Sequence, residues 1–274
     1  MSTSSGDRAF AGSIPQLYEQ YMAPLVFDPY ARDLANRAVS LSPSAVLEIA
    51  AGTGVVTRHL AAQLPANVSI VSTDLNQAML DHAMSVGTSR AVTWRQADAM
   101  KLPFADGSFD AVVCQFGAMF FPDKAAAFSE THRVLRPGGT FLFNVWDRIE
   151  DNEFADCVTQ AMARLFPIDP PRFLARLPHG YHDQAVIGSA LVDGGFAGSV
   201  VFDTVAVRSR AESPRTVAIA YCQGTPLRNE LERHDTSMLG EATDIAAAAI
   251  EARFGVGRVT GKIQAHVISA TKEA

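Results

Sequence analysis

The chain lacks most of the features that mark secreted, membrane-spanning or nucleic-acid-binding proteins. Only three cysteines, Cys114, Cys157 and Cys222, occur in 274 residues. They are too few and too scattered for a disulfide framework or a thiol-rich metal site, so reduced thiols and no bound metal are expected. No run of about 18 apolar residues occurs, so no membrane span is expected. Residues 1–10 are polar and rich in Gly and Ser, without the basic and apolar regions of a secretory leader, which makes the cytoplasm the expected location. Positive charge is also short: 23 Lys and Arg against 29 Asp and Glu leave a net charge of −6. No Lys/Arg cluster offsets that balance, so no nucleic-acid partner is expected. What remains is an ordinary mixture, 48% hydrophobic and 19% charged, long enough for one large α/β domain with an insertion.

Apolar runs bounded by turn residues alternate with helical patterns, as in a doubly wound parallel sheet. Strands are expected near residues 45–50, 69–74, 92–97, 109–115 and 139–146, with helical crossovers at 57–64 and 75–84. Another helix is expected from Phe121-Pro122-Asp123 to a stop at Arg136-Pro137-Gly138-Gly139. The aromatic stretch from Phe154 to Tyr181, with prolines at 167, 170, 171 and 178, reads as an insertion. Beyond it come a helix at 185–196, a strand at 199–208, a helix at 245–254 and a strand at 259–271, the last forming a hairpin-like edge. The expected organisation is one domain: an N-terminal helical cap (1–40), a cofactor-binding core (41–146), a lid (147–184) and a C-terminal helix and strands (185–274).

The most informative segment is Val46-Leu47-Glu48-Ile49-Ala50-Ala51-Gly52-Thr53-Gly54, an apolar run with one acid that breaks into a Gly-x-Gly turn before a helix. Such a turn sets backbone N–H groups and a helix N-terminus at the carboxyl edge of a parallel sheet. A dinucleotide site needs a third glycine where this chain has Thr57, and the Glu48 carboxylate would repel a pyrophosphate, which counts against a nicotinamide oxidoreductase. The same carboxylate suits a cofactor with a cationic group nearby. Asp74 ends the second expected strand, twenty residues after Gly54, a spacing that carries an acid to the neighbouring strand tip where it can accept from both hydroxyls of a ribose.

These residues resemble the first two motifs of class I S-adenosylmethionine-dependent methyltransferases, in the branch of small-molecule enzymes similar to the ubiquinone and menaquinone methyltransferases. Three later segments extend the resemblance over about residues 15–146: Arg95-Gln96-Ala97-Asp98-Ala99-Met100, Asp106-Gly107-Ser108-Phe109-Asp110 and Arg133-Val134-Leu135-Arg136-Pro137-Gly138-Gly139. The resemblance implies a Rossmann-like sheet of seven strands, mostly parallel with an antiparallel last strand, a helical lid, and S-adenosylmethionine as cofactor. It places Glu48, Gly52 and Gly54 around the methionine end and Asp74 on the ribose, with Ala50, Thr53, Leu75 and Met79 also at the cofactor. Asp98 and Ala99 take the adenine, and Gln115 lines the junction with the acceptor. Tyr21 and Phe27, in an aromatic segment before the first strand, would cover the cofactor or else pack on the sheet edge.

The implied reaction is methyl transfer to a small-molecule acceptor. Phe116, Met119, Phe120 and Trp146 would form an apolar acceptor rim, or plain core. Positioning is the main demand of such a displacement, and a base is needed only where the acceptor must lose a high-pKa proton. His179 is the candidate base, with His182 behind it; His59 and His132 read as helix-surface residues. A non-catalytic cofactor-binding protein would carry the same motifs. The residues do not disclose the accepting atom or the oligomeric state.

Overall fold

The structure, a computed structural model, describes residues 14–273. Seven strands form one sheet: β1 Ala45–Glu48, β2 Ser69–Asp74, β3 Thr93–Gln96, β4 Phe109–Gln115, β5 Leu135–Trp146, β6 Val200–Ala211 and β7 Val259–Thr271, in the order β3-β2-β1-β4-β5-β7-β6. The first five pair in parallel. Their apolar character follows from that arrangement, because crossover helices cover both faces of a parallel sheet; Ala111, Val112, Val113 and Cys114 of β4 are completely buried. The order reverses at β1 and β4, the place where ligands bind in open α/β sheets.

β7 runs against β5. Lys272 N–H donates to Gly139 O and Gly138 N–H to Lys272 O, both at 2.9 Å, while further along Asp147 N–H donates to Gln264 O at 3.1 Å. The expected hairpin-like edge is therefore corrected in one respect: β7 lies inside the sheet, and β6 is the edge. Alternation in residues 199–208 signals a strand but carries no information on its order in the sheet. The expected start of β5 at residue 139 also shifts. Leu135 already pairs with Phe109, and the register slips before Ala111 meets Thr140, so Pro137 and Gly138, at φ 76°, form a bulge within the strand.

Two compact units divide the described chain. One comprises Asp28–Val145, Tyr181–Val205 and the residues from His266 onward. It holds β1 to β4 and the helices Val55–Gln63 and Gln77–Val86 between its strands. Its core includes Phe128, Phe141, Phe143 and Phe196, with Phe141 stacked on Phe143 at 4.5 Å and on Phe196 at 5.9 Å. Buried aromatic rings of this kind contribute about 1.5–3 kcal/mol each.

The other unit comprises the described residues up to Phe27, Trp146–Gly180 and Ala206–Ala265. The stretch expected to be an irregular insertion begins with a helix, Glu153–Leu165, that buries Phe154, Val158, Ala161 and Met162 on one side. Its prolines all follow the helix and end it, which leaves the helical spacing of the preceding residues intact. Three helices, Pro214–Gln223, Leu227–His234 and Met238–Phe254, fill the span between β6 and β7, of which only the end of the last was expected. Near the start of the unit, Tyr18–Phe27 forms a π-helix that contains Pro24. No helix among the described residues is long and apolar enough to cross a membrane.

Candidate functional site

The turn after β1 takes up backbone conformations that L side chains rarely adopt. Ala50, Gly52 and Gly54 have φ of 52°, 56° and 81°, so the chain reverses tightly before the helix that starts at Val55. Neighbouring strands hold this turn. Ala51 N–H donates to Thr73 O at 2.9 Å, Gly52 N–H to Asp74 Oδ2 at 2.8 Å, and Asn76 N–H to Asp74 Oδ1 at 2.8 Å. Asp74 thus ties the glycine turn to the end of β2. Burial raises its pKa, and the backbone N–H groups of Asn76 and Gly52 work against that rise.

Glu48 lies under the turn. It is 1% exposed; its Oε2 accepts from the Thr57 hydroxyl and from Ser72 Oγ at 3.1 Å. Burial pushes it up to about 7, against the two hydroxyl donors. Both hydroxyls thus meet the same carboxylate oxygen, Oε2. Thr57, which stands where a dinucleotide fingerprint has its third glycine, donates one of the two hydroxyl bonds to Glu48 Oε2.

Asp98 follows β3 by two residues and closes its own small turn, with Oδ1 accepting from Met100 N–H at 2.9 Å. Asp74 O accepts from Ala97 N–H at 3.0 Å, which brings the ends of β2 and β3, and with them Asp74, Leu75, Asp98 and Ala99, into one neighbourhood. Met79 is buried, and its Cε lies 3.7 Å from the position a Cβ on Gly52 would take.

β4 ends in a second strained turn. Phe116 has φ 50°, and its N–H is held by Asn144 Oδ1 at 2.9 Å. At Gly117 an added Cβ would come within 2.5 Å of Ala50 Cβ and 2.8 Å of Cys114 Sγ, so the turns after β1 and β4 touch. That contact places Gln115, Phe116, Met119 and Phe120 beside the glycine turn. Phe116 meets Tyr30 edge to face, with ring centres 5.4 Å apart. Asn144 was absent from the sequence expectations, as was any role for Ser72; each acts through a neighbour on another strand, which no local motif encodes. Gly117 lies in the run 115–120 expected to line the junction of the cofactor and acceptor sites, but its close approach to Ala50 was not expected.

In the other unit, three expected residues come together. Phe27 and Trp146 have ring centres 6.3 Å apart, and Trp146 and His179 are separated by 5.9 Å. Tyr18 stacks on Phe27 at 4.8 Å. His179 is 5% exposed, and its Nδ1 lies 2.8 Å from Asp147 O. A carbonyl oxygen only accepts, so Nδ1 carries the proton in the neutral ring and the basic lone pair is on Nε2. Tyr21 lines a cavity together with Arg210 and Thr216. His132, expected at the surface, packs edge-on against Phe196 at 5.1 Å, and burial lowers its pKa. His59 is half-buried with Nε2 2.8 Å from Asp28 Oδ1.

Comparison with known proteins agrees with this geometry. Residues 47–143 match the family model described as a methyltransferase domain. The chain is 32% identical over 168 residues to the ubiquinone/menaquinone biosynthesis C-methyltransferase of Pseudomonas aeruginosa, covering 57% of this chain and 66% of that one. The chain thus spans just under two thirds of that relative's length. Among solved structures, its fold resembles a putative methyltransferase from Bacillus halodurans, with a TM-score of 0.56, 20% identity, and coverage of 88% of this chain and 99% of that one. It also resembles phosphoethanolamine N-methyltransferase 2 of Haemonchus contortus in complex with phosphomonomethylethanolamine and S-adenosylhomocysteine, with a TM-score of 0.60, 17% identity, and coverage of 99% and 61%. The matched domain and the strand order converge: residues 47–143 match the methyltransferase-domain family, and they sit in a Rossmann-like methyltransferase fold.

Proposed function

We propose that the chain methylates a small-molecule acceptor by in-line displacement, using S-adenosylmethionine. The observation that carries this reading is the turn after β1, stretched open by three positive-φ residues and fixed by the Asp74 carboxylate at the sheet's switch point. The residues there fit the cofactor. Thr53 Oγ1 is buried with no hydrogen-bond partner among the described residues, a group that a polar ligand would satisfy. When bound, the cofactor supplies an activated methyl group together with its leaving group.

This chain's own residues would bind and orient. Ala50, Gly52, Thr53 and Gly54 surround the methionine end through backbone groups. Asp74 and Leu75 take the ribose, Asp98 and Ala99 the adenine, with Met79 and Gln115 packing beside them. Glu48 acts as a positioning residue that clamps Thr57 and Ser72 beneath the turn. Phe116, Met119, Phe120 and Trp146 shape the acceptor's surroundings, and Phe27 offers an aromatic face, a surface worth about 0.5–2 kcal/mol to a sulfonium cation. His179, through Nε2, accepts the acceptor's proton where one must leave. The quinone-related name of the bacterial relative makes quinones and phenols the first acceptors to try.

The test is methyl transfer from isotopically labelled cofactor into a panel of quinones, phenols, amines and carboxylates, alongside calorimetric binding of S-adenosylhomocysteine. Labelled product and micromolar binding are expected. Binding of NAD in place of S-adenosylhomocysteine would sink the proposal; binding without transfer to any acceptor would favour a non-catalytic role.

A further inference from the structure

We infer that the cavity beside the π-helix is a binding site for a small amphipathic organic anion, an apolar body bearing one carboxylate. The cavity measures about 420 Å³ and is lined by Tyr21, Pro24, Leu25, Arg210, Thr216 and Val259, among others. That volume falls within the range of small-molecule sites, which pair mostly apolar walls with a few placed polar groups. Here Pro24, Leu25, Val259 and the Tyr21 ring supply the apolar surface. Its polar groups include the Tyr21 hydroxyl, the Thr216 hydroxyl, which also pairs with Ser213 Oγ at 3.0 Å, and the Arg210 guanidinium.

Charge selects the ligand. Two arginines and one acid border the cavity. Arg258 Nε is paired with Glu212 Oε2 at 2.9 Å, which leaves Arg210 as the uncompensated cation. Arg210 is exposed and has no acidic partner among the described residues. A guanidinium presents parallel N–H donors that match a carboxylate better than any neutral head group.

Backbone geometry supports the same site. Tyr18–Phe27 is wound as a π-helix with Pro24 inside it, an unusual winding that occurs often at functional sites. Its irregular backbone is held in place: Ser209 Oγ, on a residue 1% exposed, donates to Leu25 O at 2.6 Å. The residue next to Ser209 is Arg210, so one strand end both fixes the π-helical wall and delivers the cation. None of these residues belongs to the glycine turn, so the ligand can be tested independently of methyl transfer.

The experiment compares 2-naphthoate with 2-naphthamide, which share shape and differ in charge, by titration into the full chain with calorimetric and NMR readouts. The naphthoate should bind about fivefold more tightly, the scale of a partly exposed ion pair. That preference should shrink as salt rises, and methyl resonances of Leu25 and Val259 should shift with either ligand. Arg210→Gln, a change at an exposed position, should erase the preference while leaving naphthamide affinity unchanged. Tyr21→Phe should weaken both ligands by a smaller factor. Equal affinities in the wild-type chain, a preference that survives Arg210→Gln, or shifts confined to other residues would each overturn the assignment.

Discussion

In the unit built on β1 to β4, the features of interest cluster at strand ends and the turns that follow them: the turn from Ala50 to Gly54 after β1, Asp74 at the close of β2, Asp98 after Gln96, Phe116 after Gln115. In the other unit, Phe27, Trp146 and His179 arrive from three distant parts of the chain, and only side-chain packing gathers them. The first arrangement suits a constant cofactor, because backbone turns at strand ends are rigid and tolerate little change. The second suits a ligand that varies, since side chains on separated segments can be exchanged without unmaking a turn.

The sharpest test of this division is His179→Gln. For an acceptor that must lose a proton, kcat should fall by about 10²–10⁴-fold, the usual worth of a general base, while S-adenosylhomocysteine affinity measured by calorimetry stays constant. A parallel loss of affinity would break the comparison.

Next in size is the buried acid beneath the turn. Glu48 is raised from 4.5 to about 7, so the folded chain keeps a proton that the unfolded chain gives up. The stabilisation is complete below pH 4.5 and is lost as pH rises through 7, an effect of roughly 3 kcal/mol. Glu48→Gln should flatten that slope in urea titrations at several pH values. An unchanged slope would show that Thr57 and Ser72 do not enclose an ionisable group as described.

Asp74→Ala should weaken S-adenosylhomocysteine binding by about 10–100-fold, the range for a charged hydrogen-bonding partner. Unchanged affinity would refute the ribose assignment. Gly117→Ala forces a Cβ to within 2.5 Å of Ala50 Cβ. It should destabilise the fold by about 1–3 kcal/mol, read as a lower urea midpoint. The same substitution at Gly188, where an added Cβ meets nothing within 4 Å, should show no such loss.

How far the sequence could be read follows the same contrast. β2, β4 and β7 were legible at their observed bounds, since period and turn residues are local signals. The glycine turn and the spacing to Asp74 were legible for the same reason. The roles of Asn144 and Ser72, and the contact of Gly117 with Ala50, were not, because they depend on which strands become neighbours. The helix at Glu153–Leu165 was obscured by prolines that lie beyond it, and the placement of β7 between β5 and β6 has no signature in residue order.

The sheet's two edges carry a consequence for the behaviour of the protein in concentrated solution. A bare edge strand offers unpaired N–H and C=O groups to any passing chain. At one edge, β3 is the short run Thr-Trp-Arg-Gln with Arg95 and Gln96 exposed. At the other, β6 alternates with Asp203, Arg208 and Arg210; Arg37 Nη1 pairs with Asp203 Oδ2 at 2.5 Å, and the Tyr30 hydroxyl donates to Val205 O at 3.0 Å. Charged side chains, a short β3 and a phenol on the Val205 carbonyl thus burden both edges of the sheet, features that disfavour strand-to-strand stacking between copies.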